Sequence, residues 1–197
     1  MGAKVDPSAA FGPTLKVDLP TQLAQLGVKL DQIKYLGLSH NHFDHTGQAL
    51  SFPKATLLME AADFAALKSD PLPFAVSATT LQPWVDGTAK AETVRGDHDV
   101  FGDASVVMLA TPGHTEGEAA LLVRLPKTGA VLLSGDVVHF SEQWAKRGVP
   151  TFNKSRADTS ASMDRLQAMA KELKAILIIQ HEPADIAKLP SFPASAQ

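Results

Sequence analysis

SHNHFDHTG, residues 39–47, holds three histidines and one aspartate among the six positions from His40 to His45. The whole 197-residue chain has only seven histidines. The preceding run, IKYLGLS (33–39), is apolar and reads as a buried strand. Four polar side chains therefore gather where that strand should end. Crowding them there costs desolvation unless something holds them together. A divalent cation does so, because neutral imidazole and carboxylate are its ordinary ligands. In an extended segment His40 and His42 both face one ion. Asp44 and His45, a turn further on, face a second ion beside it.

Working outward, the other apolar strands end the same way. SVVMLAT (105–111) runs on to His114, AVLLSGD (130–136) closes on Asp136, and AILIIQ (175–180) is followed by His181. In layered α/β proteins such ends converge through their loops on one edge of the sheet. Asp136 has two oxygens and can bridge two ions. The ligand set is thus His40, His42, Asp44, His45, His114, Asp136 and His181, enough for three or four protein ligands per ion with room for water. His98, in GDHDV, reads as a surface residue instead.

The remaining segments set the frame. Residues 1–20 read as loop. TQLAQLGV (21–28) gives a short helix with Leu23 and Leu26 at helical spacing, ended by Gly27. Strand 55–60 leads into a helix over 61–69 with Phe64 and Leu67 inward. Residues 70–98 read as a long loop with at most one helical turn. Strand 117–126 turns at KTG and pairs with 130–136 as a hairpin. The helix over 158–173 has Asp158 or Thr159 as its cap and Met163, Leu166, Ala170 and Leu173 on one face. Strand 175–180 follows, then a surface tail over 184–197. Strands alternating with helices predict one α/β layered domain over 1–197.

Composition narrows the function classes. With 45 % apolar and 20 % charged residues the chain can bury a core. A net charge of −3 and the lack of a basic run argue against nucleic acid as a partner. No window of 18 apolar residues spans a membrane, and MGAKVDPSAAFGPTL (1–15) lacks the apolar core of a signal peptide. Without cysteine there is no disulfide, thiolate metal site or cysteine nucleophile. The compartment, cytoplasm or periplasm, stays open.

HNHFDH resembles the HxHxDH signature of the metallo-β-lactamase superfamily. TPGHTEG around His114, LSGD at Asp136 and IIQHEP at His181 resemble its later metal motifs, in the family's order. The resemblance implies an αβ/βα sandwich with two divalent ions, zinc foremost, at one edge of the sheets. It implies His40, His42 and His114 on one ion, Asp44, His45 and His181 on the other, and Asp136 between them. The aspartate at 136 disfavours penicillin-type substrates, since the true β-lactamases of the superfamily lack it. GHTEGEAALLVRLPKTGAVLLSGDVVHF and SMDRLQAMAKELKAILIIQHEPADIAKLP are most similar to the N-acyl homoserine lactonases and the methyl-parathion-hydrolase-like group.

That similarity implies a hydrolase that opens lactone rings, N-acyl homoserine lactones above all (quorum quenching), by attack of a metal-bridging hydroxide. The alternatives are an organophosphate or aryl ester hydrolase with the same site, or a non-catalytic metal-binding truncated domain. His139 stands where many lactonases have a substrate-binding tyrosine, and is expected to steady the oxyanion. Asp44 is expected to steer the hydroxide or pass its proton. Phe74, Trp84 and Phe101 are candidates for an acyl-chain groove but read first as core. Only 39 residues precede His40, without the Asp-Thr-Gly segment usual in the family. The chain is therefore expected to lack some N-terminal strands, leaving an edge open for pairing in a homodimer.

Overall fold

Two separate sheets organise the computed structural model, which describes residues 16–197. Of the expected loop over 1–20, residues 1–15 lie outside the described residues. The chain divides into two compact units. One takes the described residues up to Met59 together with Phe64–Thr93, and the other takes Glu60–Asp63 and Val94–Gln197.

The first unit begins with α1 (Leu19–Gln25), where Asp18 accepts a hydrogen bond from the Thr21 amide and Pro20 sits in the first turn. β1 (Tyr35–Gly37), α2 (Phe43–Thr46), β2 (Thr56–Glu60), α3 (Ala61–Ala66), α4 (Gln82–Val85) and β3 (Ala91–Val94) follow. The sheet order is β1-β2-β3, with β1 parallel to β2 and Leu36 opposite Leu57. Leu38, Leu57, Met59, Leu67, Leu81 and Trp84 form its core. Trp84 is the core residue expected, with its indole N–H donating to the Ala55 carbonyl at 3.1 Å.

Three expectations are corrected in this unit. β1 has three residues rather than seven and is not buried; Tyr35 is 40 % exposed. Among the described residues it is the outer strand of its sheet, with β2 as its one neighbouring strand. The span read as loop over 70–98 contains α4 and β3. AETV gives no strand signal, because Glu92 and Thr93 face solvent and only Val94 is buried. Phe74 is not core: 83 % of it is exposed.

The second unit is built on β4 (His98–Asp99), β5 (Val106–Ala110), β6 (Ala119–Leu125), β7 (Gly129–Leu133) and β8 (Ile176–Ile178), in that spatial order. Neighbours run antiparallel except β7 and β8, which are parallel. β6 and β7 form the expected hairpin, with Leu125 opposite Gly129. α5 (Ser141–Lys146), α6 (Arg156–Leu173) and α7 (Pro183–Ile186) complete the unit. α6 lays Met163 and Leu166, both fully buried, on Leu109, Leu122, Leu132, Val138 and Ile179.

Here too the structure departs from expectation. Ser155, not Asp158 or Thr159, caps α6, its hydroxyl accepting from the Asp158 amide. His98 pairs in β4 opposite Met108 rather than sitting in a loop. Phe101 is 59 % exposed, so it is not core either. The tail contains the short α7, and the Gln197 carbonyl accepts from the Lys127 amide at 2.7 Å.

The strand directions place the site in this unit. β5 and β7 each run antiparallel to β6, and β8 runs parallel to β7. The C-terminal ends of β5, β7 and β8 therefore share one edge with the start of β6.

Replacing Leu166 with alanine should cost about 2–5 kcal/mol, because the cavity opens in the middle of this cluster. Urea denaturation measures it. A loss below about 1 kcal/mol would mean that the cluster closes around the missing side chain.

Candidate metal centre

The first unit holds the cluster from His40 to His45. β1 ends at Gly37, and the chain turns inward through Leu38 to His40, whose side chain is fully buried. His42 is the residue before α2 and makes an isolated antiparallel bridge with Val76. The Phe43 amide donates to the Ala75 carbonyl at 3.0 Å, and Thr80 donates to Thr46 at 2.9 Å. These bonds fix where the short helix starts. The His40 ring lies 4.6 Å from that of His42, edge to face, and 4.1 Å from that of His45. Asp44 and His45 approach at 3.7 Å.

Ser39 sets the protonation pattern here. Its hydroxyl oxygen is 3.1 Å from Nδ1 of both His40 and His45. A hydroxyl has one proton to give, so at least one of these rings must donate from Nδ1. That ring keeps Nε2 as a lone pair, the form in which imidazole binds metal.

The second unit holds the loops after β5, β7 and β8. They deliver His114, Asp136 with His139, and His181. Asp136 is 3 % exposed. Its Oδ2 lies 3.5 Å from His114 Nε2 and 3.2 Å from His139 Nε2, and its Oδ1 lies 3.3 Å from His181 Nε2. The His139 ring is 5.1 Å from that of His114 and stacks on His181 at 5.4 Å. Three imidazolium ions this close would repel one another. Imidazoles gathered around one carboxylate can instead serve as a ligand set for a cation. His114, Asp136 and His139 bring one ligand atom each within 4.8 Å of the others. The residues present thus fit a divalent ion.

This unit brings together His114, Asp136 and His181 as the sequence predicts. It also brings in His139, expected to meet only substrate, whose Nε2 is nearer to Asp136 than that of His114. Its amide donates to Gln143 at 2.9 Å, which fixes the turn leaving Val138.

Two buried acids escaped the sequence reading. Glu118 precedes β6, so it lies at the same sheet edge, and its Oε1 accepts from the Asp136 amide at 2.9 Å. Burial, with the nearby Asp136 charge second, pushes the Glu118 carboxyl well above the usual range. Gly135, at φ +55, lets the chain pass; a Cβ there would collide with Glu118 and come within 2.9 Å of the Ala119 carbonyl. Asp63 accepts from the Gly117 amide at 2.7 Å and from the Thr115 hydroxyl at 2.9 Å, holding the loop that carries His114. The one available signal was a charged residue set directly against an apolar run, as in GEAALLV.

Residues 6–181 match the sequence family described as the metallo-beta-lactamase superfamily, and the chain belongs to it. Its relatives within that superfamily include N-acyl homoserine lactonases. The lactonase AttM of Rhizobium radiobacter is 31 % identical over 178 residues, which is 87 % of this chain and 67 % of that protein. The N-acyl homoserine lactonase of a Bacillus species is 27 % identical over 160 residues, 81 % of this chain and 60 % of that one. Among solved structures, an N-acyl homoserine lactone hydrolase with N-hexanoyl-L-homoserine at its catalytic metal centre superposes with a TM-score of 0.75, at 24 % identity, covering 88 % of this chain and 66 % of the other. The dizinc quorum-quenching lactonase AidC gives 0.62 at 17 % identity, covering 86 % and 65 %. The fold is the expected metallo-β-lactamase fold. The chain spans about two thirds of the length of these relatives.

Glu118 gives a pH prediction. With its folded pKa raised, this carboxyl costs nothing while protonated in both states. As pH rises past the ordinary glutamate range, the unfolded chain ionises and the buried group does not, so stability falls. Glu118→Gln keeps an acceptor for the Asp136 amide and removes this loss. The variant should gain on the wild type as pH rises from acid to neutral, read by urea denaturation of metal-free protein. A constant difference at all pH values would mean that Glu118 ionises normally in the fold.

Proposed function

We propose that the protein opens the ring of N-acyl homoserine lactones, at a centre of two zinc ions held by His40, His42, Asp44, His45, His114, Asp136 and His181. The observation that carries this reading is the buried Asp136 carboxylate with three imidazole nitrogens within 3.5 Å. It occurs in a metal-dependent hydrolase whose relatives are lactonases. When bound, the ions supply Lewis acidity and a water acidic enough to be deprotonated near neutral pH.

The chain's own groups do the rest. Asp136 has one oxygen toward His114 and His139 and the other toward His181, so it suits a ligand shared between two ions. Asp44, whose side chain is one-third exposed, can take the proton lost by the attacking water. It returns that proton to the alkoxide released when the ring C–O bond breaks, giving a hydroxy acid. His139, with most of its side chain buried, is held with Nε2 3.2 Å from Asp136 Oδ2; as a donor rather than a ligand it would give its Nε2–H to the developing oxyanion. Phosphotriester or aryl ester hydrolysis would use the same groups, and substrate comparison separates these reactions.

The purified chain should hold about two zinc ions and open N-acyl homoserine lactones, with activity lost in strong chelator. Elemental analysis and titration of the acid released test this. Less than one ion per chain would refute the dinuclear centre; full metal without lactone opening would move the assignment to phosphotriesters or aryl esters.

Asp136→Ala should strip far more metal than His139→Phe, which should lower turnover about 10²- to 10³-fold with metal retained. Equal metal loss in the two variants would make His139 a ligand.

A further inference from the structure

His114 is held by a hydrogen-bond relay that commits its Nδ1 to carry a proton. Its Nε2 faces Asp136 and its Nδ1 lies 3.1 Å from Asn153 Oδ1. The Asn153 amide group, on its other side, donates from Nδ2 to Thr159 Oγ1 at 3.1 Å. The Thr159 hydroxyl is 2.7 Å from the Ser155 carbonyl, which can only accept. The single hydroxyl proton of Thr159 is therefore committed to Ser155, and its oxygen must accept from Asn153. That fixes the amide with its oxygen toward His114. An amide oxygen has no proton to give, so His114 must carry its proton on Nδ1.

The backbone is fixed by the same segment. The Lys154 amide donates to the His114 carbonyl at 3.1 Å, and the Ser155 amide donates to the Gly113 carbonyl at 2.9 Å. Gly113, at φ +140, lies so close to the first turn of α6 that a Cβ would overlap the Thr159 backbone. Thr159 is fully buried, so solvent does not compete for its hydroxyl.

We propose that Asn153, locked by Thr159, is a positioning residue that keeps a proton on His114 Nδ1 and so turns Nε2 toward Asp136 and a divalent cation. The proposal rests on His114 being a metal ligand, but the proton on Nδ1 is a property of the metal-free chain and can be read without metal. A second hydrogen bond of this kind orients a ligand ring and raises its basicity; its loss commonly weakens metal binding about 10- to 100-fold.

The test uses the full chain, freed of metal by dialysis and labelled with ¹⁵N, over a pH series. Long-range ¹H–¹⁵N correlation of the wild type should give the shift of a protonated nitrogen for His114 Nδ1 throughout the series. A pyridine-type Nδ1 overturns the proposal by itself, whatever any variant does. Asn153→Ala should give mixed tautomers and bind zinc about 10- to 100-fold more weakly in competition with a chelating dye. Asn153→Asp, which keeps an acceptor, should retain the Nδ1–H tautomer. Thr159→Val frees the amide to rotate and should give a mixture as well. An unchanged tautomer and unchanged zinc affinity in Asn153→Ala would also overturn it. If the tautomer is as proposed but wild-type chain binds no zinc, the relay stands and the metal reading fails.

Discussion

A carboxylate with almost no solvent contact, set at the end of a core strand, is the constraint on which the second unit turns. Asp136 is out of water, so its charge must be met by something close. The answer is three imidazole nitrogens on three different loops. That solution needs strands pointing the same way. Two antiparallel steps bring β7 into line with β5, and one parallel step adds β8. It also needs an unusual backbone. Position 135 has a positive φ, and a side chain there would strike Glu118, whose carboxyl holds the Asp136 amide; both call for glycine.

The candidate site was legible in the sequence because histidine and aspartate, able to bind metal, stand there in tight local patterns. HNHFDH, PGH, SGD and QH each follow an apolar run, and an apolar run is the plainest sign of a strand. β2, β5, β6, β7 and α6 were legible for the same reason: each buries a continuous face. β3 was not, because three of its four residues are half-buried or exposed and no alternation survives. The exposure of β1 was equally hidden. YLG is apolar, but burial depends on how many neighbours a strand has, which local sequence does not encode. Phe74 and Phe101 failed in the opposite sense: aromatic character favours the core, yet both rings face solvent.

The supporting residues were hidden for a further reason. Glu118, Asp63 and Asn153 act on backbone amides or on a histidine nitrogen far away in sequence. Asp63 reaches Thr115 and Gly117 across more than fifty positions, and Asn153 reaches His114 across 39. Such bonds have no periodicity and no fixed spacing. They become visible only when the strands have closed. An acid beside a strand looks like a solvated residue until the fold removes its water.

The two groups of histidines then differ in how tightly their protons are specified. In the first unit Ser39 stands between two Nδ1 atoms, and its one proton leaves three arrangements open: His40, His45 or both donate to it. At His114 the acceptor is an amide oxygen whose orientation is already decided by Thr159 and Ser155, and one arrangement remains. Fixing the tautomer before a ligand arrives lowers the reorganisation that binding requires, whereas a shared hydroxyl lets the rings adapt to what binds. A hydrogen-bond partner that can both give and accept permits choice; one that can only accept removes it.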